Sequence, residues 1–129
     1  MLGVCAATGA GEYATFCAVL TGYAESDFRS TAVQHGSTFG VYQQNPKYWP
    51  SAHEDTAAQC AAFLADFWVN RIRHTGDALH DCWVTQRWAV PNEGKTWPDP
   101  GPGFLTAPET VNYSRRVADV PRLIKTGVL

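Results

Sequence analysis

From Gly11 to Ala24 apolar residues recur at Tyr13, Phe16, Cys17, Leu20 and Tyr23/Ala24. This is the three-and-four spacing of a helix with one buried face, which Thr8 or Gly9 can begin. The pattern stops at Ser26 and stays lost to Pro46, where Gly36 and Gly40 predict a structured loop with a short strand or hairpin. "PKYWPSAH" follows as a Pro-bracketed connection with two aromatics. A second helix begins near Ala52 to Asp55, with Glu54 and Asp55 suited to its first turn. Ala57, Cys60, Ala61, Leu64, Phe67, Trp68 and Ile72 carry it to about His74, and Gly76 can cap it. A third spans Asp77 to Val90 on Leu79, Cys82, Trp83, Gln86 and Val90, and Pro91 stops it. "PNEGKTWPDPGPGF" holds four of the eight prolines and reads as a long irregular loop, a kind that is often functional. A last helix runs from Ala107 to Val120, and Pro121 begins the tail. There is no internal repeat and no strong strand segment. The predicted class is mostly α (α+β), with a small β element or structured loop after the first helix.

At 129 residues the chain is expected to form one domain, residues 1–129, able to bury a core without staples. Its charged share of 17% is low, and a net charge of −2 argues against nucleic acid, which needs a basic patch to displace counterions. The five Trp, five Tyr and six Phe fit a core or a groove that stacks amphipathic ligands such as sugars. No stretch approaches the roughly 18 apolar residues of a membrane span, so no membrane insertion is expected. "MLGVCAATGAGEY" has neither a basic n-region nor a long apolar h-region, so no signal peptide is read there. Cys5, Cys17, Cys60 and Cys82 form no CxxC pair and have no His at zinc spacing, so neither a metal nor another cofactor is expected. Cys17 and Cys60 fall on apolar helix faces, where a thiol serves as a small hydrophobe. Buried free thiols and one or two disulfides both remain open. The four His residues are too scattered for a triad, and no serine sits in a G-x-S-x-G elbow.

The chemistry concentrates in "GYAESDFRSTAVQHGSTFGVYQQNP". Glu25 ends an apolar helix, where the partial negative charge of the helix C-terminus disfavours a carboxylate. It is therefore either a solvated surface residue or a carboxyl group meant to keep its proton. A glycosidic bond is cleaved by protonating its leaving oxygen, which calls for such an acid. In an aromatic cleft, the dipole and desolvation would both raise its pKa. Gly40 lets the following loop come close, and Gln43 can offer an amide to a sugar or an oxyanion.

Glu25, Ser26, Phe28, Ala32, Gly40 and Gln43 resemble the E-S-x-F-x-x-x-A…G-x-x-Q signature of lytic transglycosylases related to goose-type lysozyme. "PETVNYSRRV" (Pro108 to Val117) is similar to the family's late P-x-x-E-T-x-x-Y-x-x-x-V block, with Glu109, Thr110, Tyr113 and Val117 in register. The two blocks lie in the family's order and bracket about residues 11 to 120. The family's A-Y-N-x-G block has no counterpart; "QRWAVPNEG" stands in its place. Ser37-Thr38 corresponds to the small pair before the family's Gly.

The resemblance implies a lysozyme-like fold and a peptidoglycan glycosidase that cuts between N-acetylmuramic acid and N-acetylglucosamine. Glu25 would be the catalytic acid, and Tyr113 would aim its hydroxyl at it. Ser26, Gly40, Tyr42 and Gln43 would support catalysis or contact substrate. Each has a structural alternative: Ser26 as a helix-terminal polar group, Tyr42 and Trp49 as core, Tyr113 as simple packing. Asp27 is a candidate second carboxylate for a hydrolytic muramidase; Glu54 and Asp55 are others, more simply explained as helix N-terminal charges. The single-acid lytic transglycosylase is the preferred reading. A non-catalytic glycan-binding or phage-tail structural domain is the alternative from another class. The expected setting is a bacteriophage endolysin, a monomer or one module of a longer lysin. It would be made in the host cytoplasm and act after release, with the peptidoglycan glycan strand as its partner.

Overall fold

The computed structural model of the protein describes residues 1–34, 36, 38–46, 49–87 and 108–127. Among these the fold is mostly helical with one small β element, as the patterning predicts. The helices are α1 (Leu2–Ala7), α2 (Gly11–Ser26), α3 (Thr56–Val69), α4 (Ala78–Arg87), α5 (Pro108–Arg116) and α6 (Val120–Thr126). Strands β1 (Val33–Gln34) and β2 (Thr38–Phe39) pair antiparallel, with Val33 opposite Phe39 and Gln34 opposite Thr38. The expected end of the third helix at Val90 and the Pro-rich loop after it lie outside the described residues, as does Tyr48.

Helix α2 is the axis on which the other five helices pack. The expected single buried face is not kept in the first half, where Gly11–Tyr13 are exposed and Ala14–Phe16 half-buried. From Cys17 onward, Cys17–Gly22, Ala24 and Ser26 are all buried, so the second half is enclosed nearly all round, as a central helix must be. Gly22 makes this enclosure possible. A Cβ there would lie 2.9 Å from Val41 Cγ1 and 3.1 Å from the Met1 side chain, inside van der Waals contact.

Three boundaries differ from expectation. Helix α1 is additional; its few residues carry too little periodicity to read. The second predicted helix is three pieces: a 3₁₀ turn at Pro50–His53, α3, and another 3₁₀ turn at Asn70–Arg73. Asp55 caps α3, its carboxylate accepting from Ala58 N at 2.9 Å. The tighter winding after Val69 rotates Ile72 out of register, and it is 78% exposed. Trp68, still within α3, is 65% exposed on a face the spacing had assigned to the core, with the Arg71 guanidinium over its ring. Gly76 lies beyond this 3₁₀ turn and so does not cap α3 directly. Pro121 begins no tail: it occupies the first turn of α6, where its missing N–H costs nothing.

The loop after the hairpin sets the shape around the end of α2. Gly40 has φ +81°, and a Cβ there would come within 2.7 Å of Gln59 Oε1 and 2.8 Å of the Ala52 carbonyl. Both neighbours are fixed. Gln59 is buried, accepts from Val41 N at 2.7 Å and donates to the carbonyls of Ala52 and Glu54. Gly40→Ala should therefore cost about 3 kcal/mol or more and lower the melting temperature by roughly 10 °C. Gly36 also has positive φ but meets nothing within 4 Å, so Gly36→Ala should cost about 1 kcal/mol. Thermal denaturation followed by circular dichroism checks the contrast; equal losses would contradict the packing at Gly40.

Candidate functional site

Where α2 ends, its last carbonyls are met one by one. Asp27 and Phe28 both take left-handed backbone, φ +55° and +63°. Their amides turn back to Tyr23 O (3.1 Å) and Gly22 O (3.2 Å), reaching four and six residues back in a wider closure than a Schellman ending makes. Asp tolerates this conformation, but Phe28 pays for it sterically, offset by its ring stacking on Tyr23 at 5.4 Å. Asn112 Nδ2 of α5 donates to Ala24 O. Arg29 donates to Ser26 O through both its amide and Nε.

Glu25 stands in this ending, half-buried. Tyr113, 6% exposed, donates its hydroxyl to Glu25 Oε1 across 88 residues of sequence. The adjacent Asn112 holds the α2 backbone one residue away from Glu25, and its own Oδ1 accepts from Arg116. The Arg116 guanidinium in turn lies 4.9 Å over the Tyr23 ring. One turn of α5 thus grips both the side chain and the backbone around the acid. Pro108, Glu109 and Thr110 begin that helix.

The other residues singled out from sequence are used differently. Ser26 is buried: its Oγ donates to Val41 O at 2.7 Å and accepts from Arg29 N at 3.1 Å. It ties the helix end to the loop wall and has no exposed face for a sugar. Tyr42 is 1% exposed and stacks on Phe63 at 4.6 Å. Its ring belongs to the core, a correction to its place among the sugar-contacting residues. Trp49 is likewise buried, its indole N–H donating to Asp66.

The amide of Gln43 also differs from expectation. Its Nε2 donates to Gly40 O (2.8 Å) and Ala32 O (3.1 Å), and its Oε1 accepts from Thr38 Oγ1 (3.2 Å). The side chain braces its own loop, with the backbone held at φ +47°, rather than facing a ligand. Asp27 is exposed beyond the helix end.

Sequence reasoning passed over Asn112 and Gln59, and it placed Gln86 on the third helix's stripe without giving it a role. Gln86 Nε2 donates to Tyr42 O at 2.6 Å, and its Oε1 accepts from Gln44 at 3.0 Å. The available signal was a long amide at a position where helical spacing calls for an apolar side chain. Such a residue is retained when a neighbouring backbone needs its hydrogen bonds.

A concavity of about 850 Å³ opens near the start of α2, lined by Tyr13, Leu64, Phe67, Trp68 and His74 among others. Tyr13 lies twelve residues before Glu25, about 18 Å along the helix. Its hydroxyl donates to Asp81 at 2.5 Å, and burial together with that bond raises its pKa. Burial also lowers the pKa of His74. Asp81 accepts in addition from His80 and from the amides of Thr75 and Gly76. These bonds outweigh burial and hold its pKa below the ordinary value. Such a carboxylate is a structural anchor. Among the described residues no three His, Cys, Asp or Glu side chains group as metal ligands, and no helix is long and apolar enough to cross a membrane. No protein-family model, curated protein or solved structure matches the chain.

Proposed function

We propose that the chain is a lysozyme-like glycosidase that cleaves the β-1,4 bond between N-acetylmuramic acid and N-acetylglucosamine in peptidoglycan. Glu25 is the general acid, and the setting is a bacteriophage lysin. The observation that carries this reading is the Tyr113–Glu25 hydrogen bond at the end of a buried helix. A carboxyl group held from a distant helix, with its backbone gripped beside it, is oriented for one task. A merely solvated Glu needs no such support.

Among the described residues, five of the other acids have different surroundings or employment, and this favours the single-acid reaction. Asp55 caps α3. Asp66 accepts from the buried Trp49 indole, and Asp81 anchors the far end of α2. Glu54 is exposed where its carbonyl accepts from Gln59, and Asp27 is exposed beyond α2. A hydrolytic muramidase requires a second carboxyl, about 6.5–9.5 Å from the first where it activates water or about 5–5.5 Å from it where it acts as nucleophile. A lytic transglycosylase instead uses the muramic acid 6-hydroxyl, already bound, as the nucleophile. This spares the entropic cost of positioning a water. Glu25 then protonates the leaving oxygen and takes the proton from the 6-hydroxyl.

Glu25→Gln keeps the shape of the side chain and removes the transferable proton. Wall clearing in a zymogram should fall by about 10²–10⁴-fold, with a melting temperature close to that of the parent. A variant clearing walls within a few-fold of the parent would remove Glu25 from the mechanism. A parent chain that binds walls without clearing them would mark the domain as a glycan binder.

Tyr113→Phe deletes only the hydroxyl that orients the acid. Turnover should drop roughly ten-fold while the melting temperature shifts little. Normal turnover with a large loss of stability would return Tyr113 to a packing role. The released ends report the nucleophile directly. Mass spectrometry should find 1,6-anhydromuramic acid; reducing ends that take up ¹⁸O from labelled water would assign hydrolysis and require a second carboxyl.

A further inference from the structure

The concavity near the start of α2 exists because small residues floor it. Ala10 and Ala14 come from the beginning of α2, Ala61 and Ala65 from α3. Each pair is spaced by four, so both of its methyl groups lie on one helix face. Side chains of ordinary core size would fill this space, where methyl groups leave about 850 Å³ open.

The walls are aromatic and held in place. Tyr13 is 38% exposed, with its hydroxyl fixed on Asp81 and its ring tilted against Phe67 at 6.0 Å. The exposed Trp68 has the Arg71 guanidinium 4.1 Å from its ring centre. Arg71 is tied down in turn, its Nη1 donating to Trp68 O at 2.9 Å. None of the described residues lining the concavity is acidic, and Arg71 is its one permanent cation. Arg71 and Arg73 bracket the exposed Ile72, and Val69 is exposed beside Trp68. Large apolar side chains gathered at the surface in this way mark an interaction site.

From these features we infer that the concavity is a second binding site for peptidoglycan, in which sugar faces stack on Tyr13 and Trp68 and a stem-peptide carboxylate meets Arg71. The choice of ligand rests on the glycosidase reading.

A sugar ring presents C–H groups on its face and hydroxyls at its edge, which suits an amphipathic aromatic wall. Stem peptides bring carboxylates, which a guanidinium takes by paired hydrogen bonds. The chain as a whole, at net −2, has no general attraction for an anionic wall. A cation joined to apolar contact supplies that attraction at one place. Rings already fixed lose little freedom on binding. Tyr13 lies about 18 Å from Glu25 along α2, so a strand held here leaves the acid's end of the helix open to another stretch of glycan. A membrane surface is too flat to fill a concavity. A second copy related by a two-fold axis would bring two Arg-bearing rims together.

The test sediments purified cell walls with the chain carrying Glu25→Gln, so that the walls persist, and adds Trp68→Ala or Arg71→Ala to that background. Both side chains are exposed, so the melting temperature should change little. The apparent Kd should rise roughly ten-fold for Trp68→Ala, the loss of one aromatic anchor. Arg71→Ala should weaken binding to intact walls but not to walls stripped of their stem peptides, where Trp68→Ala still weakens it. With Glu25 intact, Trp68→Ala should slow the clearing of whole walls and leave cleavage of short soluble fragments at the parent's rate, since these cannot span both sites. The inference is overturned if the chain does not sediment with walls, or if Trp68→Ala binds them as its background does. A dimer in sedimentation velocity that Trp68→Ala dissociates would assign the concavity to a second copy and overturn it as well. Arg71→Ala without effect on intact walls would remove the carboxylate contact. The glycosidase reading fails separately: a parent chain that binds walls through Trp68 and clears none would overturn that reading and keep this site.

Discussion

A helix that ends inside a protein must find partners for its last carbonyl groups, and the architecture around α2 is organised by that requirement. Water cannot serve them where Cys17–Gly22, Ala24 and Ser26 are buried. The chain therefore reverses through two left-handed residues, so that the amides of Asp27 and Phe28 serve Tyr23 and Gly22. It also brings Asn112 from the far end of the sequence to Ala24. Leaving one such carbonyl unmet would cost about 1–3 kcal/mol, a large share of a domain's net stability. The side chain carried into this environment is Glu25. Its position follows from how the helix ends, and the helix that supplies Asn112 supplies Tyr113 in the next residue.

The loop from Gly40 to Gln44 is built on the same economy. Gln59 and Gln86 reach into it from α3 and α4, and Ser26 reaches from α2. Three elements therefore meet on the backbone of Val41 and Tyr42. A loop fixed in this way has little freedom to move, and in the proposed glycosidase it would be a preorganised wall. Gln43 contributes by bracing the turn through its amide, so its effect on any substrate is transmitted through the backbone it holds.

What could be read from the sequence divides along physical lines. The central helix, the small hairpin and the helical body of residues 56–69 were legible because apolar period and glycine placement are local signals. The 3₁₀ turns at Asn70–Arg73 and Val117–Asp119 were not, since a change from 3.6 to 3 residues per turn leaves no compositional mark. Pro121 was misread because proline suits both a helix's first turn and the chain beyond its end. At the site, the Glu25–Tyr113 pairing was legible only through resemblance; 88 residues separate the two. The directions of Gln43 and Tyr42 were not legible at all. A Gly-x-x-Gln spacing fixes register along the chain, and which way a side chain turns depends on carbonyls and rings supplied from elsewhere.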